Sequence, residues 1–146
     1  MSSSRGFTII EIMIVVVMVA ILASIAIPSY TQYVTRSKIQ EATSTLLAQR
    51  VKMEQFFQDN RTYIGSCAPG TVAPLPGGLK YFTINCGNLG AATYTVTATG
   101  GTPGDSSMAG FSYSIDQGNN RVTIAVPAGW NLPAGNCWVT KPGGQC

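Results

Sequence analysis

The sequence predicts an α+β protein in which a long N-terminal helix packs on an antiparallel β-sheet of about four strands. Three observations predict it. Residues 7–27 form a run of 21 with 18 apolar members, interrupted only by Thr8, Glu11 and Ser24. A helical recurrence of apolar residues then continues to about Asp59. Beyond Tyr63 lie 15 of the 16 glycines and 7 of the 8 prolines, set among short alternating runs of β-forming residues.

Composition narrows the function classes before any motif is read. The chain has 146 residues, room for one domain, and only 10% of them are charged. With a mean hydropathy of +0.20 it is too apolar for a disordered chain. A net charge of +3 is too small to signal nucleic-acid binding by itself. There is no histidine, which removes a His base, a His-ligated metal and a Ser-His-Asp triad. The sequence calls for no cofactor.

The first element spans 7–27. Its 21 residues make a helix of roughly 31 Å, matching the hydrocarbon thickness of a bilayer. A secretory signal peptide is the rival reading, because Arg5 precedes the run and Ser24-Ile25-Ala26 resembles a small-x-small cleavage site. The run is too long for a usual apolar signal region, and Glu11 lies inside it. An ionisable group at membrane depth marks a functional site by default, although a carboxylate snorkelling to the headgroups is the plainer alternative.

The second element spans 28–62. Pro28 cannot donate to the carbonyl of Ser24, so it either starts a new helix or kinks a continuous one. Ile39, Ala42, Leu46, Met53 and Phe57 then share one face, with charged residues between them. Helix from Phe7 to the end of this pattern would run roughly 78 Å. The head, 63–146, carries four β-patterned runs: Tyr81–Ile84, Tyr94–Thr97, Phe111–Ile115 and Arg121–Val126. The last two are joined through Gly118-Asn119, a pair suited to a hairpin.

All four cysteines, Cys67, Cys86, Cys137 and Cys146, lie in the head. An even number there suggests two disulfides in an oxidising compartment, and sequence permits three pairings. Without close CxxC spacing or histidine, zinc is disfavoured.

The opening of the chain is its most specific feature. Arg5-Gly6-Phe7-Thr8-Ile9-Ile10-Glu11 follows a short polar leader and runs directly into the apolar stretch. It resembles the class III signal of type IV pilins and the related pseudopilins. The resemblance implies a pilin fold and a leader, 1–6, removed by prepilin peptidase after Gly6 with methylation of Phe7. It also implies that Glu11, four residues beyond that new terminus, pairs with the α-amino group of Phe7 on a neighbouring subunit and sets register during assembly. Pro28 stands where pilins commonly carry a proline. By the same resemblance, Cys137–Cys146 closes a C-terminal loop, leaving Cys67–Cys86. The implied function is that of a structural pilus subunit for adhesion, twitching motility or DNA uptake. Its implied partners are other pilin subunits and the inner-membrane assembly machinery, and it passes from the inner membrane to an extracellular filament.

Several other readings can be weighed against the residues. A type II secretion pseudopilin shares the whole N-terminal signal. A DNA-binding competence minor pilin would use Lys80, Arg121 and Lys141, with Trp130 and Trp138 stacking on bases, but these cations exceed the head's acidic residues by just one. An enzyme would need a catalytic pair, and the head holds two Asp and no Glu. Electron conduction through Phe7, Tyr30, Tyr33, Phe56 and Phe57 is unnecessary, because helix packing accounts for those aromatics. Asn60-Arg61-Thr62 matches a glycosylation sequon, a motif too short to bear weight.

Overall fold

In the computed structural model, which describes residues 6–102 and 105–146, a single helix is followed by four strands. The leader residues 1–5, including Arg5, lie outside the described residues. Helix α1 is Ile9–Asn60. The strands are β1, Phe82–Gly87; β2, Thr95–Gly100; β3, Ser112–Asp116; and β4, Arg121–Ala125. They form one sheet in the order β1-β2-β3-β4 with every neighbouring pair antiparallel. By contact density the chain divides into two compact units between Val34 and Thr35.

Up to Val34 the chain is helix from Ile9 onward, with Pro28 inside it. Proline removes one ladder donor, and the helix continues on either side of that gap. Near it, Ser24 Oγ donates to the carbonyl of Ile21 and Thr31 Oγ1 donates to that of Pro28.

From Thr35 onward the helix packs against the sheet. It buries Ile39, Ala42, Thr43, Leu46, Gln49, Met53 and Phe56. The sheet answers with alternate residues, as its two-residue period requires: Phe82 and Ile84 on β1, Val96 and Ala98 on β2, Tyr113 and Ile115 on β3. The register places Ile84 opposite Ala98 and Ala98 opposite Tyr113, so small and large side chains alternate across the inner face. A bulge between Ser112 and Tyr113 shifts the pairing with β4.

The buried face differs from the sequence pattern in two places. Phe56 is buried and Phe57 only partly so, the latter stacking on Tyr63 with ring centroids 4.7 Å apart. Gln49 is buried although polar, because its Nε2 donates to the carbonyl of Ala73 at 2.9 Å and ties the loop after the helix to the helix itself. The helix ends where Arg61 turns left-handed (φ 58°) and Asn60 Nδ2 donates back to the carbonyl of Phe56.

Two carboxylates brace the head. Glu41 accepts the backbone N–H groups of Lys80 and Tyr81 at 2.9 and 2.8 Å, fixing the approach to β1. Glu54 accepts the hydroxyls of Tyr63, at 3.2 Å, and Tyr94, at 3.5 Å. Burial and then the nearby Glu54 charge push both phenols above their usual range. Burial alone raises Tyr113, whose hydroxyl donates to the carbonyl of Val139. At the β3–β4 turn, Asp116 accepts from the backbone and side chain of Asn120. Burial would raise this carboxyl, but these bonds and one from Gly118 together hold it lower.

Candidate functional site

The N-terminal residues are built around a helix start. Gly6, Phe7 and Thr8 precede the helix, and all three are exposed, Phe7 by 80%. The carbonyl of Thr8 accepts the first helical bond, from the N–H of Ile12. Glu11 N–H donates to Thr8 Oγ1 at 3.2 Å, while Thr8 N–H donates to Glu11 Oε2 at 3.4 Å. Two otherwise orphaned donors are thus satisfied reciprocally, which is a capping box. The Glu11 carboxylate also sits at the positive end of the helix dipole. Thr8 is the residue that the reading of this segment as an apolar run overlooks. Its signal is the Thr-x-x-Glu spacing before an apolar stretch.

From Ile12 to Ile27 the helix is apolar on every side apart from Ser24. None of its most apolar 18-residue stretch is buried. It is long and apolar enough to cross a membrane. Met13, Ile14, Val17, Met18 and Ile21 line one entirely apolar strip along it. Met13 and Met18 bring flexible thioethers to this strip, which let an apolar face adapt its shape. Pro28 lies in the same helix and away from Glu11.

The head places the remaining predicted residues. Cys67 is bonded to Cys86, joining the loop after α1 to β1, with Cα atoms 6.4 Å apart. Cys137 is bonded to Cys146, with Cα atoms 6.1 Å apart, and closes a C-terminal loop. Thr123 on β4 holds that loop twice: its Oγ1 donates to the carbonyl of Cys137 and accepts the N–H of Val139.

Two of the predicted cations, Lys80 and Arg121, sit over aromatic rings. Lys38 and Lys80 both lie over the ring of Tyr81, at 4.7 and 5.2 Å from its centroid. Arg121 lies over Trp138 at 5.3 Å. Trp138 is 7% exposed and its Nε1 donates to the carbonyl of Ser114, while Trp130 meets Phe111 edge-on. Both indoles are therefore occupied by packing. Among the described residues, no group of three His, Cys, Asp or Glu side chains converges to hold a metal ion.

These features define a class: a β-rich head on a helix whose first half is apolar all round and carries a capped carboxylate at its start. Comparison with known proteins gives that class its family. The profile described as type IV minor pilin ComP, DNA uptake sequence receptor, matches residues 28–110, and the prokaryotic N-terminal methylation motif matches residues 1–27. The type IV major pilin protein PilA of Myxococcus xanthus is 35% identical over 143 residues, covering 90% of this chain and 64% of PilA. A fimbrial protein of Pseudomonas aeruginosa is 28% identical over 151 residues, covering 94% of this chain and 98% of its own. The non-core minor pilin PilV of Neisseria meningitidis shares the fold, with a TM-score of 0.54 at 15% identity over 73% of this chain and 98% of PilV. The chain belongs to the type IV pilin family. It spans less than two thirds of the Myxococcus PilA and 60% of the major fimbrial protein FimA of Dichelobacter nodosus.

Proposed function

We propose that this chain is a structural subunit of a type IV pilus. In this reading prepilin peptidase cuts between Gly6 and Phe7 and methylates Phe7. The subunit then waits in the inner membrane with its disulfide-bonded head in the periplasm. The inner-membrane assembly machinery draws it into an extracellular filament. The observation that carries the reading is the unburied apolar first part of the helix with Glu11 at its capped start.

The physics of transfer supports the sequence of events. Lipid tails are as apolar as Ile or Val, so moving this helix from bilayer to filament changes little hydrophobic free energy. Packing and polar contacts decide the outcome instead. A carboxylate at membrane depth is costly unless partnered. Within its own chain Glu11 uses Oε2 on the Thr8 N–H, and Oε1 makes no hydrogen bond among the described residues. The α-amine of Phe7 on an adjacent subunit is the charge that would complete it, which makes Glu11 a register mark. Glu11→Val should leave cleavage after Gly6 intact and remove the chain from sheared filaments. Normal filament incorporation of that variant would refute the role.

A second reading, DNA capture, is favoured by the match of residues 28–110 to a family described as a DNA uptake sequence receptor. Phosphate contacts would fall to cations such as Lys80, and binding would then weaken steeply with salt. Duplex binding measured with Lys80→Ala tests it, and unchanged salt-independent binding would count against it.

A further inference from the structure

The head carries a groove of about 310 Å³ between the helix and the C-terminal disulfide loop, lined by Gln40, Thr43, Leu47, Arg121, Trp138 and Thr140, with the two cysteines of the loop at its margin. Its one charged lining side chain is Arg121. The guanidinium stacks over Trp138, whose ring is anchored by its bond to the carbonyl of Ser114. Arg121 is exposed and has no ion pair among the described residues. It is a pre-positioned cation in a recess, beside an amide, hydroxyls and the apolar arm of Leu47. Such a setting fits a carboxylate, because a guanidinium already held against a ring loses little freedom on pairing.

The chain has six Asp and Glu side chains. Five are engaged internally: Glu11 by Thr8, Glu41 by the backbone of Lys80 and Tyr81, Glu54 by two tyrosines, Asp105 by the N–H of Ser107, and Asp116 by Asn120. Asp59 is the exception. It is exposed and makes no hydrogen bond or ion pair among the described residues. It also stands in the last turn of α1, which holds no basic residue. A negative charge there faces the negative end of the helix dipole and gains from a cation brought from outside.

We propose that in the filament the Arg121 groove of one subunit receives the Asp59 carboxylate of a second copy. The contact rests on the assembly reading above and adds to it a specific bond between heads. It also carries a dimension. Thr43 lines the groove, and from Thr43 to Asp59 the helix rises about 24 Å, so two parallel copies joined this way are offset by about that distance along the helix.

Charge reversal in cells that display the filaments tests the contact. Arg121→Glu and Asp59→Arg should each lower sheared-filament yield about tenfold, the size of one lost charge pair, with processed subunit still at its normal level in the membrane. The double variant should recover most of the yield. In filaments of R121K, carbodiimide should join residue 121 of one copy to Asp59 of another, as read by mass spectrometry. Undiminished yield in both single variants, or no 121–59 link in R121K filaments, overturns the contact. Duplex DNA binding lost in Arg121→Glu with filament yield unchanged also overturns it and gives the groove to nucleic acid. Absence of the wild-type chain from filaments refutes the assembly reading itself, and the contact with it.

Discussion

Replacing Glu41 with alanine removes the two hydrogen bonds by which the helix holds the backbone entering β1 at Lys80 and Tyr81. The carboxylate accepts both N–H groups, at 2.9 and 2.8 Å. Hydrogen bonds to a charged acceptor contribute about 1.5–3 kcal/mol each when water cannot replace them. The Lys80 bond is exposed and the Tyr81 bond is partly buried. Water therefore recovers most of the first and little of the second, leaving a net loss of about 2 kcal/mol. For a unit of this size that lowers Tm by roughly 6–12 °C. The loss should be local in origin: amide exchange at residues 80 and 81 accelerates first, and the stacking of Lys38 and Lys80 on Tyr81 loosens. Thermal unfolding of the detergent-solubilised chain, with hydrogen exchange of those two amides, checks both parts. A Tm within about 1 °C of wild type with residues 80 and 81 still protected would refute the reasoning.

Two other perturbations have equally definite outcomes. A Cβ placed on Gly100 would collide with the backbone oxygen of Met108, so Gly100→Ala must displace backbone and should cost about 3 kcal/mol in a denaturant melt. A melt indistinguishable from wild type would show that this turn yields freely. Alkaline pH acts on Tyr63, Tyr94 and Tyr113, whose folded pKa values lie above the unfolded value. Their stabilisation is complete below about pH 10 and is lost as pH rises toward the folded values, because the unfolded chain ionises first. Tyr94 and Tyr113, the two raised furthest, each contribute a slope approaching about 1.4 kcal/mol per pH unit in that window, measurable as a falling denaturant midpoint. A midpoint flat to pH 12 would contradict their burial.

Much of this architecture is legible from the chain alone, because its strongest signals are periodic and long. The 21-residue apolar run, the helical pattern after it and the four alternating runs lead to one helix and a four-stranded antiparallel meander. What escapes the sequence is set by tertiary partners. A period of 3.6 cannot decide between adjacent Phe56 and Phe57, and the helix buries Phe56 because Phe57 is taken up by Tyr63. Gln49 is buried because the carbonyl of Ala73 arrives from a loop with no regular structure, a partner that no helical period announces. Strand β1 extends through Asn85, Cys86 and Gly87; Asn85 and Gly87 are poor strand formers, and the segment is held by pairing with β2 and by the bond from Cys86 to Cys67. Pro28 is ambiguous in sequence because a single missing donor can end a helix or be absorbed by it.

The candidate site divides in the same way. Gly6, Phe7 and Glu11 stand out by spacing, and Thr8 joins them only once the capping geometry is seen. The Arg121 groove has no sequence signature, because its walls come from α1, β4 and the C-terminal loop.

Assembly through a processed N-terminal helix is tested most directly by mass spectrometry of the intact chain recovered from sheared filaments. The predicted mass is that of a chain beginning at N-methylated Phe7, with Cys67–Cys86 and Cys137–Cys146 both closed. A chain beginning after Ala26, or one found only in the soluble periplasm, would contradict it.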